Sequence, residues 1–178
     1  MTMTSAVEGK VSDVLSPADY RRVMSHVPTS VSIITAMTDA GPTGMTVGTF
    51  TSVSLDPPLV AFYVDQGSTT WPVLAEAEYF GINILRSGCG DVCRAFSRRG
   101  QDRFAGVVWQ PSDRGVPLLE DAIVTVECSP HRVDRIGDHL QVVGEVEDLI
   151  QQGIDEPLIF LRGGFVDMSA IAGRSVEA

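Results

Sequence analysis

Cysteine is scarce in this chain of 178 residues, which holds only Cys89, Cys93 and Cys128. An odd number without framework spacing excludes a disulfide scaffold. Cys89 and Cys93 stand four apart and can share a helix face. No further ligands stand at zinc spacing, so no metal site is expected. Cys128, inside an apolar run, reads as a buried small hydrophobe. Basic residues are also few: 13 Lys and Arg against 23 Asp and Glu leave a net charge of −10. A nucleic-acid partner needs a basic surface, and that class is excluded. No apolar run approaches the ~20 residues of a membrane span. Met1 to Lys10 lacks the apolar centre of a signal peptide, so the expected location is the cytoplasm. A Rossmann fold is excluded because no Gly-x-Gly-x-x-Gly is present and strands do not alternate with helices. No serine sits in a Gly-x-Ser-x-Gly elbow. Repeats and low-complexity segments are absent.

The length suits one domain, expected over 16–170, with tails at 1–15 and 171–178. Hydrophobic content of 44% and charged content of 20% are ordinary for a globular chain. Ser16-Pro17-Ala18-Asp19 reads as a helix start, with Ser as N-cap and Pro at the first helical position. Tyr20, Val23, Met24 and Val27 follow at helical spacing, and Pro28 ends the helix. Strands are expected at 31–37, 43–54, 59–64, 79–85, 123–129, 132–136, 139–150, 158–161 and 165–168. Short helices are expected from Ser68 and over 91–98, with an irregular stretch at 100–115. Many short strands with few helices indicate a closed or nearly closed barrel.

The chain is organised around Gly44-Met45-Thr46-Val47-Gly48-Thr49-Phe50-Thr51-Ser52-Val53-Ser54-Leu55-Asp56-Pro57-Pro58. Strand formers alternate with small hydroxyl residues, and the prolines then stop the ladder. Glycine inside a strand marks close approach of a ligand or of another backbone, and either reading fits here. Ser68-Thr69-Thr70, ahead of a short helix, is either a simple cap or an anion contact. Of His26, His131 and His139, the last follows the tight turn Gly137-Asp138, where a side chain can lean over a cleft.

These motifs resemble the short-chain flavin reductases, the reductase partners of two-component flavin-dependent monooxygenases. The match includes Gly44 to Pro58, Ser68-Thr69-Thr70, Phe80-Gly81-Ile82-Asn83-Ile84-Leu85, Arg103-Phe104, Glu127-Cys128 and Gly137-Asp138-His139, and runs from about Tyr20 to Met168. The resemblance implies a mainly β fold, a split β-barrel with a few short flanking helices. It implies an NAD(P)H:flavin oxidoreductase that reduces FAD or FMN by direct hydride transfer and supplies a monooxygenase, acting as a homodimer. FAD and NADH are the favoured choices. By resemblance, Thr46, Val47, Gly48, Thr49 and Ser52 meet the flavin ring. Asp65, Gln66, Ser68 and Thr69 meet its ribityl–phosphate side, and Asn83, Arg103 and Phe104 complete the pocket. Gly137, Asp138 and His139 meet the nicotinamide, with His139 at its carboxamide. Gly48 departs from the family pattern, in which serine is common. Leu118-Leu119 and Phe165-Val166 are candidates for the dimer contact. Two other classes remain open: a non-catalytic flavin- or haem-binding barrel, and a relative of the pyridoxamine-phosphate oxidases.

Overall fold

A computed structural model describes residues 15–98 and 102–166. Of the expected tails at 1–15 and 171–178, all but Leu15 lie outside the described residues, as do positions 167–170. The elements are α1 (Pro17–Met24), β1 (Thr29–Ser30), β2 (Ser32–Thr38), β3 (Gly41–Val47), β4 (Thr51–Leu55) and β5 (Pro58–Asp65). They continue with α2 (Trp71–Leu74), β6 (Phe80–Leu85), α3 (Gly90–Ser97), β7 (Trp109–Pro111) and β8 (Pro117–Leu119). Two long strands, β9 (Ala122–Ile136) and β10 (His139–Gln151), precede β11 (Ile159–Leu161) and β12 (Gly164–Val166).

Seven antiparallel strands form the main sheet in the order β3-β2-β6-β9-β10-β5-β4. Its two edge strands, β3 and β4, are consecutive in the chain and are joined by Gly48 to Phe50. The sheet therefore curls until one short linker spans its edges, which is a split barrel. The linker is tied down on the β5 side. Thr49 Oγ1 accepts from the Tyr63 N–H at 2.9 Å and lies 3.3 Å from the Tyr63 carbonyl oxygen.

The barrel interior is filled by Ile34, Val47, Phe62, Phe80, Ile82, Val126 and Val142. Phe62 meets Trp71 and Phe80 edge to face, with centroids 5.9 and 5.8 Å apart, so α2 plugs one end. A second core, with Ile33, Leu85, Phe96, Phe104 and Leu119, lies beneath α3 and the β7–β8 hairpin. Strand β2 serves both, Ile34 facing the first core and Ile33 the second. That explains why it is buried without a break from Ser32 to Ala36, because a strand covered on both faces has no solvent side.

The structure corrects five expectations. The stretch 100–115, expected to be irregular, holds β7, which is strand because it pairs with β8 from Trp109 to Pro111. The strand over 43–54 is two strands, because the chain changes sheet edge at Gly48 to Phe50. The strands at 123–129 and 132–136 are one, β9, and Pro130 within it stands at a register shift against Val143 and Gly144 of β10. A bulge is where a strand tolerates a residue that cannot donate to the ladder. Helix α1 stops at Met24, short of Pro28, and Ser25 caps it by donating its N–H to Arg21. Leu118 and Leu119 are 6% and 0% exposed. They are core beneath β7–β8 and are not available as a dimer contact.

Candidate functional site

The linker between β3 and β4 brings the end of β3 close to the segment that follows β5. A cleft of about 230 Å³ opens there, with Thr46, Asp65, Ser68, Thr69, Phe96 and Arg103 among its lining. A neighbouring cavity of about 300 Å³ shares Thr69, Thr70 and Arg103. Arg103 stands between the two. Its Nη1 donates to the Gly44 carbonyl at 2.6 Å and to Thr70 Oγ1 at 2.8 Å, and its Nε donates to the Arg98 carbonyl at 2.9 Å. These bonds fix a guanidinium at the wall of a cleft that also presents the hydroxyls of Thr46, Ser68, Thr69, Thr70 and Ser97 and the Asp65 carboxylate.

Local turns set the other donors. Asp65 Oδ1 accepts from the Gly67 N–H at 2.6 Å, and the Asp65 carbonyl accepts from the Ser68 N–H at 2.9 Å. Ser68 Oγ accepts from the Trp71 N–H at 3.1 Å at the start of α2, which leaves its hydroxyl proton to donate elsewhere. Thr69 is exposed, and among the described residues no hydrogen bond uses its hydroxyl. On the opposite wall Ser97 of α3 donates to the Cys93 carbonyl at 2.8 Å and stands 3.2 Å from Thr46 Oγ1. Burial pushes the Cys93 thiol up, so it stays a neutral neighbour of this wall.

The turn at Gly137 and Asp138 reaches the same rim through sheet register. His139, the first residue of β10, pairs with Asp65, the last of β5. Gln66 ties the two ends together. Its Nε2 donates to the Gly137 carbonyl at 2.8 Å, and its N–H donates to the Asp138 carbonyl at 3.1 Å. Gly137 has φ 60°, the left-handed region that suits glycine in a tight turn. His139 Nδ1 lies 2.7 Å from Asp138 Oδ1. The hydrogen bond from His139 holds the Asp138 carboxyl below its ordinary value. Nδ1 is thereby engaged, and Nε2 is the ring atom left to face a ligand.

Thr46, Asp65, Gln66, Ser68, Thr69, Arg103, Gly137, Asp138 and His139 are thus gathered on one rim and cleft. Other predicted residues stand elsewhere. Asn83 is fully buried and its amide is spent: Nδ2 donates to Ile33 O and Thr35 Oγ1, while Oδ1 accepts from Leu119 N–H and Thr125 Oγ1. It knots four strands and has no face on the cleft. Phe104 packs its ring in the second core against Phe96 at 4.9 Å and Trp109 at 5.7 Å, and also lines the cavity beside Arg103. Val47 points into the barrel interior. A Cβ on Gly48 would stand 3.2 Å from Thr29 Oγ1, so its small size serves packing within the chain. The Thr49 hydroxyl is taken up by Tyr63. Ser52 is exposed on edge strand β4 and does not line the cleft. Sequence reasoning missed Ser97 and Phe96, which line the cleft with Thr70 of the Ser68-Thr69-Thr70 motif. Only the tertiary packing of α3 on β3 reveals these two.

The cleft suits a flavin's polar side chain. It offers hydroxyls and a held guanidinium, and a rim where a second flat ring can be seated. The flavin reductase like domain model matches residues 24–169 of this sequence. The chain belongs to the flavin reductase family. A flavin reductase of Pseudomonas putida is 40% identical over 170 residues, 95% of this chain and 100% of that protein. The flavin-dependent monooxygenase reductase subunit HsaB of Rhodococcus jostii (strain RHA1) is 32% identical over 86% of this chain and 79% of its own length. The Streptomyces globisporus NADH:FAD oxidoreductase SgcE6, solved with NAD and FAD fragments, superposes with a TM-score of 0.81 at 32% identity. That match covers 88% of this chain and 96% of SgcE6. The family accounts for the split barrel and for a site built to bind and orient, with no acid–base pair at its centre. The flavin reductase reading needs none, since nicotinamide and flavin carry the redox chemistry when bound.

Proposed function

We propose that this flavin reductase takes hydride from NADH, reduces FAD, with FMN as the alternative acceptor, and releases the reduced flavin to a separate monooxygenase. It acts as a homodimer in the cytoplasm. The observation that carries this reading is the pairing of His139 with Asp65 across β10 and β5. That rung joins the Gly137-Asp138-His139 turn to the segment holding Ser68 and Thr69, so nicotinamide and flavin contacts adjoin. Thr46, Ser68, Thr69 and Arg103 hold the flavin's ribityl and phosphate groups, while the backbone from Thr46 to Thr49 meets the ring edge. His139 Nε2 meets the nicotinamide carboxamide, with Asp138 fixing the imidazole through Nδ1.

The test is simple. Purified protein is mixed with NADH and free FAD or FMN under air, and the nicotinamide absorbance is followed. Sustained loss only when flavin is present is expected. Tight flavin binding without turnover would overturn the reading in favour of a non-catalytic flavin barrel. Addition of an oxygenase and its substrate, physically separated by a dialysis membrane, then tests whether the reduced flavin is released.

A further inference from the structure

The outward face of β5 and β10 carries two neighbouring rungs. His139 stands opposite Asp65, and Gln141 stands opposite Tyr63. Residues two apart on a strand share a face, so these four side chains project together, with rungs roughly 7 Å apart. Phe62, Val64 and Val142 fill the interior, so this face points away from the barrel core. On the second rung Gln141 Nε2 donates to the Tyr63 phenol oxygen at 2.9 Å. A phenol both donates and accepts, and an amide carries donors and an acceptor. With that bond made, the phenol proton and Gln141 Oε1 remain, and no bond among the described residues uses either. The backbone of Tyr63 is held by Thr49, so the rung lies between the Gly48–Phe50 linker and His139. A donor and an acceptor, held side by side at an aromatic ring, match a flat ring whose edge places an amine beside an acceptor. A primary carboxamide has such an edge, and so does adenine.

We propose that the Tyr63–Gln141 rung binds and positions a ring of the dinucleotide reductant beside His139. The proposal rests on the reading of the chain as an NADH-dependent flavin reductase. Gln141 Oε1 accepts from the ring's amine, and the Tyr63 hydroxyl donates to its acceptor. The bond between the two side chains sets their spacing before the ligand arrives, so the contact is pre-organised. No covalent bond to the ligand is made or broken; the rung contributes binding through hydrogen bonds.

Tyr63→Phe and Gln141→Met keep volume and strand character while removing the polar edge. Each should raise KM for NADH about 2- to 10-fold, the worth of one hydrogen bond. Near-normal kcat and an unchanged flavin Kd are expected alongside. The double variant should cost less than the product of the singles, because each single already breaks the pair. Reduced nicotinamide mononucleotide, which lacks the adenosine half, separates the two rings. An equal rise in KM with it assigns the rung to the nicotinamide; no rise with it assigns the rung to adenine. Wild-type KM for NADH in both single variants overturns the proposal. So does a shift to a smaller species in sedimentation, which would make the rung a subunit contact. A wild-type protein that oxidises no NADH overturns the functional reading itself.

Discussion

The hydrogen bond between His139 and Asp138 gives one residue a measurable signature. Asp138 titrates below the ordinary 3.8, with the His139 contact as the leading cause. A depressed carboxylate contributes to the folded state above its unfolded value and loses that contribution as pH falls through the folded value. The Asp138 carboxyl carbon, followed by NMR, should therefore titrate below 3.8 in the wild type and move back up in His139→Ala. The same variant should raise KM for NADH or lower kcat, up to about 10²-fold for a misplacement of ~1 Å, with flavin Kd little changed. Wild-type kinetics in folded His139→Ala would falsify the nicotinamide contact. Asn83 makes the opposite prediction. Asn83→Leu would strand the Leu119 N–H, while the Thr125 hydroxyl keeps Gln152 Oε1, at about 1–3 kcal/mol for the buried group left unsatisfied. Chemical denaturation should show that loss, while flavin Kd of the folded protein holds. Lost flavin binding at unchanged stability would return Asn83 to the pocket. The contrast shows what the sequence could and could not reveal about the site. The Gly-Asp turn before His139 is a local signal and was legible. Whether Asn83 faces a ligand or other strands is decided by its pairing with Ile33 and Thr125 across the sheet, which no local pattern encodes.

Among elements, the critical contact is α3 on β3. A Cβ on Gly44 would stand 2.7 Å from the Phe96 ring and 2.8 Å from the Ile34 carbonyl oxygen. The ring belongs to α3, and the carbonyl to a strand that cannot yield cheaply. Gly44→Ala should therefore cost about 1–3 kcal/mol through overpacking. It should also weaken flavin binding, because the Gly44 carbonyl accepts from Arg103 and α3 supplies Ser97 to the cleft wall. Urea denaturation with a lower midpoint at constant slope, together with flavin titration, checks both. A stable variant with normal flavin affinity would show that α3 is free to shift without moving the site. The strands of the barrel were legible because β-branched runs and proline stops are local. The break at Gly48 to Phe50 was not, since the residues on either side are equally strand-like. What breaks the strand there is the change of sheet edge and the Thr49 bond to Tyr63.

For the whole molecule, the proposed homodimer raises the question of which surface a second copy would cover. Helix α1 has no buried residue, and Tyr20, Val23, Met24 and Val27, on α1 and the turn after it, are 44% to 53% exposed. An amphipathic helix with its apolar stripe in water is an unpartnered surface. It adjoins the site, because Arg21 is near enough to Asp138 to help hold that carboxyl down. Ile136, beside the same turn, is also exposed, at 48%. These residues replace Leu118 and Leu119 as the expected contact, and they place the His139 turn at the border of the interface. A two-fold dimer through this face would repeat the contact isologously and shelter both turns. Val23→Asp with Met24→Asp adds charge to a surface helix that contributes nothing to the core, so the barrel should still fold. Sedimentation equilibrium at micromolar concentration should then move from dimer to monomer, and KM for NADH should rise with dilution. A wild-type monomer would sink the dimer outright. A double variant that remains dimeric with unchanged KM would move the interface to another face and detach the His139 turn from it.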